Sequence, residues 1–463
     1  MFPILIANRF TCLTNSSFWI LSVTLAAFHL YFLLRYKIDL PISDEWADFA
    51  TARNFSRDLN AKWLFAPTNS HPMVLQRVLS WFFLLADGRN FRTQAIVQFL
   101  TYVPVVLTCL KLGERKLRVP LGWAAVLMFT ALHASNFFWP FMFYLYIHFI
   151  LSLVGIFMVC SNRSYEVLSG YCITAVATLQ AGSGLATASA VTIVGGFLAW
   201  RMHANLRQHL IGIAIVVFTI AAWVIFVSRD NLFVLENAPW TFPFWGFVGT
   251  VIAAALGVGY PRFSSNYIGY SVALGLAVLF TGFVLSVYVC FISRHLIERS
   301  HRARVAVGLF VVSTSAVLLV GLGRPWQWGF FALRYHIIGL QVVLAVLALV
   351  FACVHKKPAA ASGQRAVLSA LATVVVLLSL PNMRIKKHYE SFGSEAIAQL
   401  QCARKFFATP GYDSCDSGPY EWGLKQGHIA NSERLRANYC FSIAGGMPPG
   451  SSIEECYRSL AVK

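Results

Sequence analysis

Long apolar runs broken by short, mostly basic connectors set the rhythm of this chain. Runs that reach or approach the length needed to cross a hydrocarbon core of about 30 Å as a helix cover 18–34, 95–110, 121–135, 144–160, 168–179, 185–200, 210–228, 272–292, 305–322, 337–354 and 367–380. Two shorter runs, 73–86 and 244–258, fall below spanning length and contain or adjoin polar residues such as Arg77; they read as re-entrant or interfacial. The pattern predicts an all-α polytopic membrane protein with about eleven transmembrane helices plus re-entrant or interfacial helices. A membrane domain over 1–381 is followed by a small tail over 382–463.

Charge placement predicts the orientation. Lys111, Arg115, Lys116 and Arg118, then Arg201 and Arg207, then Arg294, Arg299, Arg302 and Arg304, then Lys356, Lys357 and Arg365 all fall on one side if the two shorter runs do not cross. The positive-inside rule makes that side cytoplasmic. The amino terminus is then also cytoplasmic, while the first outer loop, 36–94, and the tail lie outside. The first run ends at Arg35 and Lys37 without a small-residue cleavage site, so it reads as a retained span rather than a signal peptide.

Cysteine placement points the same way. Cys402, Cys415, Cys440 and Cys456 sit in the tail, and four cysteines there suit two disulfides in an oxidising compartment, with three pairings open.

Composition adds an exclusion. With 57% hydrophobic and only 12% charged residues, water is not the solvent for most of the chain. A net charge of +18 would suggest nucleic acid in a soluble protein, but here the basic residues punctuate helix ends and no basic stripe interleaves with aromatics; no nucleic-acid partner is expected. Phosphate-binding loops, dinucleotide fingerprints and zinc-spaced Cys/His sets are absent from the sequence.

Candidate chemistry lies in the outer connectors. Asp44 and Glu45, in Ser43-Asp44-Glu45-Trp46, put two adjacent carboxylates just beyond the first span. A helix capped by Ser43 would also welcome them in its first turn. His71, in Asn69-Ser70-His71-Pro72, precedes a short apolar helix carrying Gln76 and Arg77, and an Arg so placed must reach headgroups or an anion. Arg324 and Arg334-Tyr335 flank an aromatic-rich outer connector, where two guanidinium forks could grip a lipid phosphate or simply snorkel within an aromatic belt.

Through Asp44-Glu45-Trp46, Asn69-Ser70-His71-Pro72, the turn Ser135-Asn136-Phe137-Phe138-Trp139 and Arg334-Tyr335, the membrane part, roughly 15–380, resembles bacterial membrane glycosyltransferases of the GT-C superfamily, with mannosyltransferase-like members. The resemblance implies a polyprenyl-phosphate sugar donor, and transfer of a hexosyl or pentosyl group to a glycan, lipid or protein acceptor of the envelope. It also implies location in the bacterial inner membrane, with chemistry on the extracytoplasmic face. Asp44 and Glu45 would serve as general base or would hold a divalent metal (Mg or Mn). His71, Arg77, Arg324, Arg334 and Tyr335 would bind substrate, with Arg324 and Arg334 on the donor phosphate. Relatives with an Asn-Glu-His-Arg run differ here, where the chain has Asn69-Ser70-His71-Pro72. A transporter or flippase of lipid-linked glycans is the rival reading, and an envelope polysaccharide polymerase or ligase with a lipid-diphosphate donor is a third.

Overall fold

A computed structural model describes residues 2–37, 64–65, 67–68, 71–87, 90–117, 121–180, 182–202, 205–227, 237–258, 265–324, 335–354 and 384–408, with positions 370, 373 and 376. The chain is a multi-pass membrane protein whose described residues are almost entirely helical. Its helices are α1 (Phe2–Tyr36), α2 (Val74–Asp87), α3 (Phe91–Leu117), α4 (Gly122–Met128), α5 (Ala134–Phe138), α6 (Phe143–Val159), α7 (Ser164–Thr178) and α8 (Gly182–Met202). They continue as α9 (Leu206–Val227), α10 (Phe242–Ala255), α11 (Ser265–Val287), α12 (Arg294–Arg299), α13 (His301–Leu322), α14 (His336–Val354) and α15 (Ile385–Ala408). Two residue pairs, Pro67↔Pro72 and Thr68↔His71, form a minimal antiparallel ladder.

Among the described residues, seven helices are long and apolar enough to cross a membrane, and eight if the bent pair 131–138 and 143–159 counts as one span. Two of the expected spans take another form. The run 121–135 is not one helix: α4 has seven residues, about 10 Å, and stops where Thr130 adopts an extended backbone (φ −69°, ψ 163°) and its hydroxyl donates to the Leu127 carbonyl. A 3-10 turn at Ala131–His133 and the five-residue α5 follow, and the chain turns through 110° before α6. This irregular backbone is encased in protein, which is the condition under which it is tolerated at membrane depth. The run 168–179 lies in the 15-residue α7, about 22 Å long and short of a full crossing. The run 367–380 falls outside the described residues except at three positions.

The two short runs do form short helices. α2 has 14 residues with one exposed apolar edge at Val78, Phe82 and Leu85. α10 also has 14, yet from Gly246 to Ala255 it is buried along its length among α11, α13 and α14, enclosed by protein rather than lying at an interface.

Without a hydrophobic drive between helices in lipid, close packing rests on small residues. A methyl on Gly170 of α7 would sit 2.7 Å from the Val159 nitrogen and 2.8 Å from the Gly155 carbonyl oxygen of α6. Lipid-facing surface is carried by α9 and α11, where Phe218 is 76% and Phe280 67% exposed.

The described basic connectors meet at one end of the bundle. Arg304 donates to the Cys160 carbonyl at 3.0 Å, the Ile297 carbonyl at 3.1 Å, the Glu298 carbonyl at 3.3 Å and Asn162 Oδ1 at 2.7 Å, tying α13 to the α6–α7 connector and α12. Asn205 Nδ2 donates to the Asn162 carbonyl, which adds the α8–α9 connector. Glu114 accepts from Asn15, Trp19, Lys111 and the Leu121 amide, joining α1, the end of α3 and the start of α4. The opposite end carries, among the described residues, Tyr36, Arg77, Arg324 and Tyr335. Here α15 packs on α1 and α5, burying Tyr389 completely.

Candidate functional site

Starting from the chain, the end opposite the basic connectors is built by elements that stop short of crossing. α2 begins beside the α7–α8 joint, with the Val74 amide donating to the Leu179 carbonyl at 3.0 Å. Gln76, 2% exposed, donates from Nε2 to the Pro140 carbonyl at 3.2 Å and so fixes α2 against the entry to α6. Arg77, 5% exposed, turns its guanidinium inward, with Nη1 donating to the Leu64 carbonyl at 3.4 Å.

Next to this lies the buried bend 129–142. His133 Nδ1 is 3.4 Å from the Tyr146 hydroxyl, Tyr146 stacks on Phe137 with centroids 5.5 Å apart, and Tyr102 lies 4.0 Å from Tyr146. Asn136, in the turn that carries part of the resemblance, is buried beside Tyr146, while Phe137 and Phe138 are covered with it. His336 opens α14 near enough to His133 to interact with it electrostatically, and both are 2% exposed. Tyr335 precedes it, its ring edge-on to Phe247 of α10 at 5.8 Å. On the same end Asn237 Nδ2 donates to the Gly321 carbonyl at 2.9 Å and the Arg324 carbonyl at 2.5 Å, closing the end of α13 over α10.

Of the residues singled out from sequence, the structure therefore places Arg77, Arg324 and Tyr335 at one end of the bundle. Arg77 and Tyr335 are buried, whereas Arg324 is half-buried. His71 joins the ladder with Thr68 through its backbone. Asp44, Glu45 and Arg334 lie outside the described residues, as do Cys415, Cys440 and Cys456; Cys402 is placed in α15 by its backbone alone. Among the described residues, no group of three or more His, Cys, Asp or Glu side chains is arranged to hold a metal. The carboxylates expected to do so are Asp44 and Glu45.

Sequence reasoning passed over His29, His133, Tyr146, Gln180, Ser183 and His336. Each is an isolated polar position inside or beside an apolar run, and that isolation is the available signal, since a polar side chain at membrane depth needs an inward partner.

No protein-family model, no curated protein and no solved structure matches this chain.

Proposed function

We propose that the chain is a membrane glycosyltransferase that moves a sugar from a polyprenyl-phosphate donor to an envelope glycan, lipid or protein acceptor on the extracytoplasmic face. The observation that carries this reading is the set of buried polar side chains at the end opposite the basic connectors, with Arg77 buried on α2 and bonded to the Leu64 carbonyl, and His133, Asn136, Tyr146 and His336 buried at the bend and the start of α14. Binding a lipid-linked anion demands positive charge where the chain can exclude water, and in this set Arg77 is the residue that carries it. In this reading Asp44 or Glu45 takes the acceptor proton as the new glycosidic bond forms, and the donor's lipid phosphate leaves toward Arg324 and Arg334. A divalent metal held by Asp44 and Glu45 would supply Lewis-acid stabilisation of the leaving phosphate. The membrane is the bacterial inner membrane, with the amino terminus cytoplasmic and a disulfide-bonded tail outside. The resemblance to GT-C enzymes supports the same assignment.

A transporter of lipid-linked glycans is favoured by one separate observation. His148, Ser152 and Thr187 form a buried polar trio inside the bundle, with Ser152 Oγ 3.1 Å from Thr187 Oγ1 and 3.3 Å from His148 Nε2. Proteoliposomes loaded with a polyprenyl-phosphate sugar separate the two readings. A transferase yields sugar covalently bound to acceptor and free polyprenyl phosphate; moved but intact lipid-linked sugar contradicts it.

A further inference from the structure

Where α6, α13 and α14 pack together, the bundle holds a cavity with about 30 Å³ of room for water centres. Ser152 of α6, Ser313 of α13 and Gln341 of α14 line it, among apolar side chains that include Phe149 and Val312. Gln341 Oε1 is buried without a hydrogen-bond partner. Ser152 and Ser313 are each 2% exposed. Their hydroxyls spend their protons on carbonyls one turn back, Ser152 on His148 at 2.8 Å and Ser313 on Leu309 at 2.7 Å, so toward the cavity both oxygens act as acceptors.

A cavity lined by acceptors calls for a donor. Hydrocarbon offers none and would leave Gln341 Oε1 unpaired in an apolar surrounding. A metal cation would be drawn to the same oxygens, but none of the lining residues is acidic, and an uncompensated charge at that depth is far costlier than an unpaired amide oxygen. Water donates twice and carries no charge. One water needs about 10–15 Å³ of such room and two to four polar partners, so the cavity has space for two and acceptors to hold them. A neighbouring cavity of about 20 Å³ supplies the contrast. It shares Leu153, Leu309 and Leu344, but its lining is apolar apart from the Cys109 thiol, and by the same criterion it stays dry.

We propose that water is bound inside the bundle between α6, α13 and α14, donating to Gln341 Oε1 and to the hydroxyl oxygens of Ser152 and Ser313. Ser152 Oγ is also 3.1 Å from Thr187 Oγ1 of α8. The bound water therefore extends the polar trio of α6 and α8 to α13 and α14, and four helices share one hydrogen-bonded network at a depth where lipid supplies no partners. The site does not depend on sugar transfer and stands or falls separately from it.

The test uses the full chain in lipid nanodiscs, irradiated by a short X-ray pulse that makes hydroxyl radicals in place from bound water, while a membrane-excluded scavenger removes those formed in bulk. Mass spectrometry compares oxidation of Phe149, which lines the cavity and is 1% exposed, with that of Phe247, which is 0% exposed and lines neither cavity. In wild type Phe149 is oxidised well above Phe247. Gln341→Met keeps the chain length while deleting the unpaired oxygen; it leaves acceptors for a single water and lowers Phe149 oxidation about twofold. With Ser313→Ala added, one acceptor remains, fewer than a water needs, and the signal falls to the Phe247 level. Should the double variant not fold, Gln341→Met alone decides. Phe149 oxidised no more than Phe247 in wild type shows a dry cavity and overturns the proposal. Phe149 oxidation unchanged by Gln341→Met overturns it as well, since the radicals would then come from elsewhere.

Discussion

The Tyr389 hydroxyl lies 3.1 Å from His29 Nδ1, joining residues 360 positions apart. His29 Nε2 is 3.0 Å from the Phe129 carbonyl, which can only accept, so Nε2 carries the proton and Nδ1 accepts from Tyr389. Burial pushes the Tyr389 phenol well above its ordinary pKa, which keeps it a donor. One imidazole thus ties the first span, the buried bend and the opening helix of the tail together. Tyr389→Phe leaves Nδ1 buried without a donor and lowers stability by about 1–3 kcal/mol. Limited proteolysis should cut α15 from the variant faster than from wild type. A double-mutant cycle with His29→Leu should show coupling, and additive losses would mean the contact does not hold the tail.

At the other end, Arg304 spends its guanidinium on three carbonyls and Asn162. Lys cannot reproduce that fork, so Arg304→Lys should cost about 2 kcal/mol or more in detergent melting experiments. The exposed Arg294, replaced in the same way, should change stability by no more than about 0.5 kcal/mol.

Glycine packing offers a paired test on one helix. A methyl on Gly275 of α11 would collide with the Gly249 carbonyl of α10, whereas one on Gly269 meets nothing within 4 Å. Gly275→Ala should lower the melting temperature by several degrees, an overpacking cost of about 1–3 kcal/mol. Gly269→Ala should leave it unchanged or slightly raised.

Much of the membrane architecture was legible from apolar run length, because a helix that must satisfy its own backbone in lipid announces itself as an unbroken apolar stretch. Runs such as 305–322 and 337–354 correspond to α13 and α14 within a few residues. Run length does not distinguish lipid from protein as the apolar surrounding, however. That is why 121–135, covered by protein on all sides, reads as a span and folds as α4, a 3-10 turn and α5. The inward turn of Arg77 was half legible: its position in an apolar segment demanded a partner, but the Leu64 carbonyl could not be named. His29 and Tyr389 were not legible at all, since nothing local links residues so distant.

The described basic connectors meet at one end, and the positive-inside rule predicts that this end is cytoplasmic. Reporter fusions after Lys116 and after Lys463 should lie on opposite faces, the first cytoplasmic. Both on one face would contradict the orientation and with it an extracytoplasmic site.

Sugar transfer should depend on the acidic pair of the first outer loop. Asp44→Asn and Glu45→Gln keep shape and hydrogen-bonding capacity while deleting charge. A carboxylate serving only a helix start would cost about 1 kcal/mol and leave turnover intact. A general base or metal ligand lowers the rate by about two to four orders of magnitude. The direct measurement is the rate of transfer from a polyprenyl-phosphate sugar in membranes carrying wild type, each single variant, the double variant and Asp48→Asn as a control from the same loop. Loss of about a hundredfold or more is expected in at least one single variant and in the double variant, with near wild-type expression and an active Asp48→Asn. Full activity in both singles and the double would contradict it.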